Sequence, residues 1–403
     1  MYKSTKIKDD IVWIGVNDRK IEKWESHIPL DFGVTYNSYV ILDEKICIID
    51  GVEEGENGDF FRKLEATIGD RQVDYIIINH VEPDHSGSIK SLLKIYPNIK
   101  VVANAKSISI LKLLDIDIPN DRAVVVKEKD VLDLGKHKLT FYLMPMVHWP
   151  ESMATYDTTD KILFSNDAFG SFGALDGAIF NDEANLNIFE NEMRRYYSNI
   201  VGKFGAPVNA VLKKLSSVEI SCICPSHGLI WRKYIKEIIE RYQKWANMEP
   251  TKEGVVIVYG SMYGHTAEMA EVLGRELGNR GIKDVIIYDS SKTDHSYIFS
   301  TIWKYKALIL GSCAHNNDIY PKMEPLLHKL ENYGLKNRYL GIFGNMMWSG
   351  GGVKRIKEFA DTLTGLEQVG EPIEIKGHVT PIDREKLIEL ANLMADKLIA
   401  DRE

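Results

Sequence analysis

From Val255 onward short apolar runs alternate with amphipathic ones, and no other feature of the chain narrows the possible folds so far. Strands read at 255–259, 284–288, 306–310, 339–343 and 371–375, with helices at 265–280, 293–303, 320–332, 350–364 and 382–400. Strands that each hand over to a helix run parallel, because the helix returns the chain to the starting edge of the sheet. The pattern predicts a doubly wound α/β sheet, with ligand loops leaving the carboxyl ends of its strands.

Before residue 250 the pattern is irregular. Strand runs at 11–16, 35–42, 45–49, 75–79, 100–103, 123–126, 138–143 and 154–164 are interspersed with helical patterns at 57–68, 86–95, 105–113 and 187–216. This mixture predicts an α/β sandwich with helices on its outer faces. A helix over 230–246 then gives way to a polar stretch from Asn247 to Gly254, broken by Pro250, which reads as a linker. The expected domains are 1–250 and 251–403.

A chain of 403 residues exceeds one ordinary core. Its 44% hydrophobic and 27% charged residues fit a water-soluble globular protein. A formal charge of −8 without a local basic patch argues against a nucleic-acid partner. The first ten residues carry Lys6, Lys8, Asp9 and Asp10 and no apolar stretch, and no run approaches the ~18 apolar residues of a spanning helix. No membrane role and a cytoplasmic location are expected. The four cysteines, Cys47, Cys222, Cys224 and Cys313, are expected as buried free thiols.

The apolar run 75–79 leads into His80-Val-Glu82-Pro-Asp84-His85. In an extended chain His80, Glu82 and Asp84 share one face, and Pro83 permits a turn that returns His85 to the same place. Farther on, His148, Asp167 and His227 each follow an apolar run. Any one of them alone reads as a cap or turn residue. Imidazoles and carboxylates packed into six residues at a strand end are costly to cluster unless a cation offsets desolvation and repulsion, so a metal site is expected.

Three loops in the second half point to a different ligand. Ser261, Met262, Tyr263, Gly264, His265 and Thr266 join the first strand to its helix, offering N–H groups and hydroxyls to an anion at a helix N-terminus. The loop lacks a P-loop lysine and a three-glycine fingerprint, so one terminal phosphate fits better than a nucleoside triphosphate or NAD. Ser312, Ala314, His315, Asn316 and Asn317 follow the third strand; Gly344, Asn345, Met347, Trp348, Ser349, Gly350 and Gly351 follow the fourth. The glycines let backbone approach a flat ring, and Trp348 offers a face for stacking.

The His80–His85 motif, with His148, Asp167 and His227, resembles the metallo-β-lactamase fold, an αβ/βα sandwich, with Glu82 where hydrolytic members usually carry histidine. Added carboxylate suits iron or manganese better than zinc, and redox chemistry better than hydrolysis. The three loops resemble flavodoxin, which binds FMN, although Tyr263 departs from the usual first-loop pattern. Together the halves resemble the flavodiiron proteins. The resemblance implies two non-haem irons, one held by His80, Glu82 and His148, the other by Asp84, His85 and His227, with Asp167 bridging. It further implies reduction of dioxygen to water or of nitric oxide to nitrous oxide, and a head-to-tail homodimer or a dimer of such dimers. His27 and Tyr196 match residues flanking the family's substrate pocket, and Trp149 and Phe172 match its lining. Larger relatives carry an added rubredoxin or flavin-reductase module, so an external donor such as rubredoxin or a reduced deazaflavin coenzyme is expected. The competing readings are direct oxidation of reduced deazaflavin, a zinc hydrolase fused to a flavodoxin, and a pure electron-transfer flavoprotein.

Overall fold

The computed structural model describes residues 4–402, the side chain of Ile188 excepted. The chain forms two compact units, Met1–Gln243 and Lys244–Glu403.

In the first unit a seven-stranded sheet runs in the order Thr5–Lys6, Ile11–Trp13, Tyr39–Leu42, Ile46–Ile49, Tyr75–Ile77, Lys100–Asn104, Ala123–Val126. A five-stranded sheet runs Val131–Asp133, Lys138–Leu143, Met153–Asp157, Ile162–Asn166, Cys222–Pro225. Ile11, Ile41, Ile49, Ile77 and Val102 of the first sheet share one buried cluster with Leu139, Phe141, Met153, Phe164 and Cys224 of the second. Alternate residues of the central strands therefore meet the other sheet, which is the sandwich expected from the sequence.

Local chemistry breaks three expected elements. The run 35–42 divides into Val34–Tyr36 and Tyr39–Leu42, because Asn37 leaves the ladder and donates its amide to the Pro225 and Gly228 carbonyls, each at 2.9 Å. The run 154–164 is a pair of antiparallel strands, with a turn in which the Asp157 carboxylate accepts the Thr159 and Asp160 N–H groups. The long helix over 187–216 is two, Leu186–Tyr196 and Gly205–Leu215, separated by the wide turn Tyr197–Val201. Pro207 has no N–H and its ring would strike a preceding carbonyl, so it belongs in the first turn of a new helix.

The second unit contains a parallel sheet in the order Val285–Asp289, Lys252–Gly260, Tyr305–His315, Arg338–Met346. Its last edge comes in two pieces: Leu366–Gln368 pairs with the start of Arg338–Met346, and Ile373–Lys376 with its end. Pro372, which cannot donate to the ladder, lies in the gap. Val255, Ile257, Ala307 and Ile309 pack on the helices His265–Asn279 and Pro381–Ala400. The alternate residues Val256, Val258, Leu308 and Leu310 are equally buried, so both faces are covered, as a parallel sheet requires. The strand order reverses between Lys252–Gly260 and Tyr305–His315, and a crevice opens there at the carboxyl ends. The four cysteines are free and buried. Among the described residues no helix is long and apolar enough to cross a membrane.

Candidate functional site

The start of the His80 motif is held by a buried network. Asp50 accepts the Asn79 N–H at 2.7 Å and its amide at 2.9 Å, and Asn79 Oδ1 accepts the Thr155 hydroxyl at 2.8 Å. The chain is extended only as far as Glu82. Pro83 then opens a single helical turn, Pro83–Ser86, so Asp84 and His85 are carried by that turn and not by strand alternation. His148 follows a turn after Lys138–Leu143, Asp167 follows Ile162–Asn166, and His227 follows Cys222–Pro225. All seven side chains converge in two groups: His80, Glu82, His148 and Asp167, and beside them Asp84, His85 and His227.

Asp167 ties the groups together. Its Oδ2 lies 3.2 Å from His148 Nε2 and 3.6 Å from His80 Nε2, while its Oδ1 lies 3.1 Å from His85 Nε2 and 3.4 Å from His227 Nε2. Glu82 Oε2 closes the first group at 3.1 Å from His80 and 3.2 Å from His148. Asp84 Oδ2 closes the second at 3.3 Å from His85 and 3.2 Å from His227. Both oxygens of Asp84 and of Asp167, and Nε2 of His85, His148 and His227, are buried without a hydrogen-bond partner. Such inward-facing orphans are costly in an apolar interior and are what cations would satisfy.

The electrostatics agree. Burial depresses the His80 pKa, but contacts with Glu151 and Glu82 overcome it and raise the value to about 10. His148 is likewise lowered by burial and raised to about 10 by Asp167 and Glu82. Burial pushes the Asp167 carboxyl up, and the charge of His85 with the close approach of His148 and His227 holds it well below the usual range. The cluster binds positive charge, either protons or metal ions. Two nitrogens and one carboxylate per group, with a carboxylate shared, suit two iron ions that keep open positions.

Aromatic rings surround the groups. Trp149 lies 5.1 Å from the His80 ring; Trp24, Tyr196 and Tyr36 lie 5.1, 5.6 and 6.1 Å from that of His227. Phe172 packs on Tyr196 at 5.0 Å. Tyr196 Oη is buried without a hydrogen-bond partner. His27, in contrast, is exposed, and its Nδ1 contacts the Glu25 carbonyl at 3.0 Å. Glu25 itself is an exposed residue whose carboxyl is partly desolvated and faces Glu82, and both effects raise its pKa. Glu25, Trp24, Tyr36 and Glu151 escape a sequence reading. Only Glu151 carries a signal there, an acid three residues after His148.

In the second unit the three loops enclose a cavity of about 270 Å³. Ser261, Met262, Tyr263, His265 and Thr266 line it from the first loop, Ala314, His315 and Asn316 from the second, and Asn345, Met347, Trp348 and Ser349 from the third. Cys313 and Met346 line it as well. The other expected residues support the loops from behind. Gly264, at φ 96°, starts the helix His265–Asn279 and donates its N–H to Ser261 Oγ at 3.1 Å. Asn316 and Asn317, both at positive φ, make the two-residue turn of a hairpin that pairs His315 with Asp318. Ser312 Oγ accepts the Tyr320 N–H at 3.1 Å. Backbone atoms of Ser312 and Glu374 carboxylate oxygens crowd the space where Gly344 and Gly350 would carry a Cβ. A Cβ on Gly351 would lie 2.6 Å from the Asn317 carbonyl carbon. Thr266 Oγ1, in the first helical turn, is buried without a hydrogen-bond partner, and with the free N–H groups of that turn it fits a phosphate. Trp348 and Tyr263 are 76% and 81% exposed, so their ring faces remain available to a flavin.

Residues 34–228 match the ODP family of beta lactamases, and residues 257–389 match the flavodoxin family. The nitric oxide reductase of Moorella thermoacetica is 34% identical over 372 residues, covering 91% of each chain. The anaerobic nitric oxide reductase flavorubredoxin of Vibrio vulnificus is 34% identical over 360 residues, 87% of this chain and 71% of that one. The structure of rubredoxin oxygen:oxidoreductase from Desulfovibrio gigas superposes with a TM-score of 0.91 at 30% identity, covering 99% of both chains. That of the flavodiiron protein from Giardia intestinalis does so with a TM-score of 0.93 at 27% identity, covering 99% of this chain and 98% of that one. With both modules in this order on one chain and relatives that align along nearly its whole length, the chain belongs to the flavodiiron family.

Proposed function

We propose that the chain is a diiron flavoprotein that reduces dioxygen to water, nitric oxide to nitrous oxide, or both. The observation that carries the reading is Asp167, one carboxylate whose two oxygens face two separate His and carboxylate groups. His80, Glu82 and His148 would hold one iron and Asp84, His85 and His227 the other, with the Asp167 carboxylate shared between the two groups. Bound FMN would supply electrons to the site, and a diiron pair there would supply the redox chemistry for dioxygen or nitric oxide. Trp24 and Trp149, packed on the His227 and His80 rings, and Phe172, packed on Tyr196, supply apolar surface beside the site. Tyr196 keeps its hydroxyl proton, because burial and then the Asp167 charge push its pKa well above the ordinary value, and that proton is available for a hydrogen bond to the substrate. His27 is exposed and contacts the Glu25 carbonyl, and its place beside the substrate pocket rests on the family resemblance.

The iron-binding domain is 1–250 and the FMN-binding domain 251–403, with FMN held by the residues of the three loops. The family resemblance supports a head-to-tail homodimer, in which the flavin of one subunit serves the irons of the other, and a cytoplasmic location. Two relatives carry rubredoxin in their names, which favours a rubredoxin-like donor.

The test is steady-state kinetics of the iron- and FMN-loaded protein with dioxygen and nitric oxide side by side, using reduced rubredoxin and reduced deazaflavin as alternative donors. At least one gas should be consumed, and Asp167→Ala should abolish turnover while FMN stays bound. Protein grown with ample iron that contains two zinc ions and no iron would end the reading in favour of a hydrolase.

A further inference from the structure

His80 and His227 direct their second ring nitrogens to different partners. His227 Nδ1 lies 2.6 Å from the Thr35 backbone carbonyl, a neutral acceptor. His80 Nδ1 lies 2.6 Å from Glu151 Oε1, and both side chains are fully shut from solvent. The same Glu151 oxygen accepts the Val81 N–H at 3.2 Å, while Oε2 is buried without a partner. The main chain at Glu151 is anchored from elsewhere: its carbonyl accepts the Asn104 amide at 2.6 Å, and Asn104 Oδ1 caps the helix Ala105–Leu113 through the Lys106 and Ser107 N–H groups. A carboxylate this deeply buried, with one oxygen bare, is costly unless a neighbouring donor needs it.

We infer that Glu151 is a positioning residue for the first metal position: it holds His80 with the proton on Nδ1 and Nε2 directed at the metal, and it makes this position the more electron-rich of the two. The inference rests on the diiron reading. A carboxylate accepting the far N–H of a ligating imidazole draws that proton away and raises the basicity of the metal-binding nitrogen more than a neutral carbonyl does. Charge adds in the same direction. Glu82 and Glu151 contact imidazoles of the His80 side, Asp84 those of the His227 side, and Asp167 is shared; the buried Asp50 carboxylate also acts on His85, but burial raises its pKa and both its oxygens are taken by Asn79 donors. The two metal positions are therefore unequal, and an iron held by His80, Glu82 and His148 would be the more readily oxidised of the pair.

Two substitutions separate orientation from charge. Glu151→Gln keeps an oxygen to accept the Nδ1 proton and removes the charge; Glu151→Leu removes both. Apo-protein is titrated anaerobically with ferrous ion against a competing chelator, and the iron-loaded holoprotein is followed by Mössbauer spectroscopy and redox titration. Glu151→Leu should weaken one of two ferrous ions by about 10–100-fold and leave the other unchanged. Glu151→Gln should retain both ions, shift one of two Mössbauer doublets, and raise the potential at which the first electron leaves the ferrous pair. If Glu151→Leu does not fold, the Gln variant decides. Unchanged doublets and potentials in Glu151→Gln, or an equal shift of both doublets, overturn the inference. Wild-type protein that fails to take up two ferrous ions overturns the diiron reading instead.

Discussion

His137 lies outside the candidate metal site, between two aspartates. Its buried ring places Nδ1 2.9 Å from Asp157 Oδ2 and Nε2 3.1 Å from Asp10 Oδ2. Burial alone would lower its pKa, but the Asp157 and then the Asp10 contact raise it to about 9. A raised folded-state pKa contributes stability that is complete below the unfolded value of about 6.5 and is lost as pH rises through the folded value. Melting temperature should therefore fall between pH 6.5 and pH 9.5 in the wild type, and fall less in His137→Gln. Thr266 supports a second prediction. Removing its hydroxyl in Thr266→Val should weaken FMN by about 10–100-fold, the worth of a hydrogen bond to a charged phosphate. Flavin titration by fluorescence quenching reads it directly, and an unchanged dissociation constant would remove Thr266 from the site. The seven candidate metal residues are legible in the sequence because four crowd into six positions and the others end apolar runs. Glu151 and Trp24 are not, since what they do depends on rings that only the folded chain brings near them.

Element by element, the parallel sheet is the more legible half. Its central strands Lys252–Gly260, Tyr305–His315 and Arg338–Met346 carry continuous apolar runs buried on both faces, so period and length suffice to place them. In the sandwich, side-chain hydrogen bonds decide where strands end, as Asn37 and Asp157 show, and apolarity does not reveal them. Val131–Asp133 and Leu366–Gln368 are short edge pieces with little apolar pattern, and both go unread. The hairpin turn Asn316-Asn317 packs against Gly351, which sits at φ 147°. Gly351→Ala must push the second loop from the third at a strain cost of about 1–3 kcal/mol, so FMN affinity should fall by about 5–150-fold. Iron content should stay unchanged. Loss of both cofactors would point to general unfolding.

At the scale of the whole molecule, the two candidate ligands belong to different compact units. A ligand at one hundred times its dissociation constant stabilises what it binds by about 2.7 kcal/mol. In hydrogen-exchange measurements ferrous ion should slow amides within Met1–Gln243 and FMN those within Lys244–Glu403. A ligand that protects only the other unit would refute the assignment of sites. The order of the metal-site residues along the chain has a consequence for how the protein is made. They begin at His80 and end at His227, which follows the last strand of the five-stranded sheet. A ribosome that has released His80 to Asp167 has exported only part of each group's surroundings, with the His227 side of the second group still to come. The nascent chain thus has no complete pair of metal positions, and loading waits for the whole sandwich to close, which makes metal delivery a post-translational event.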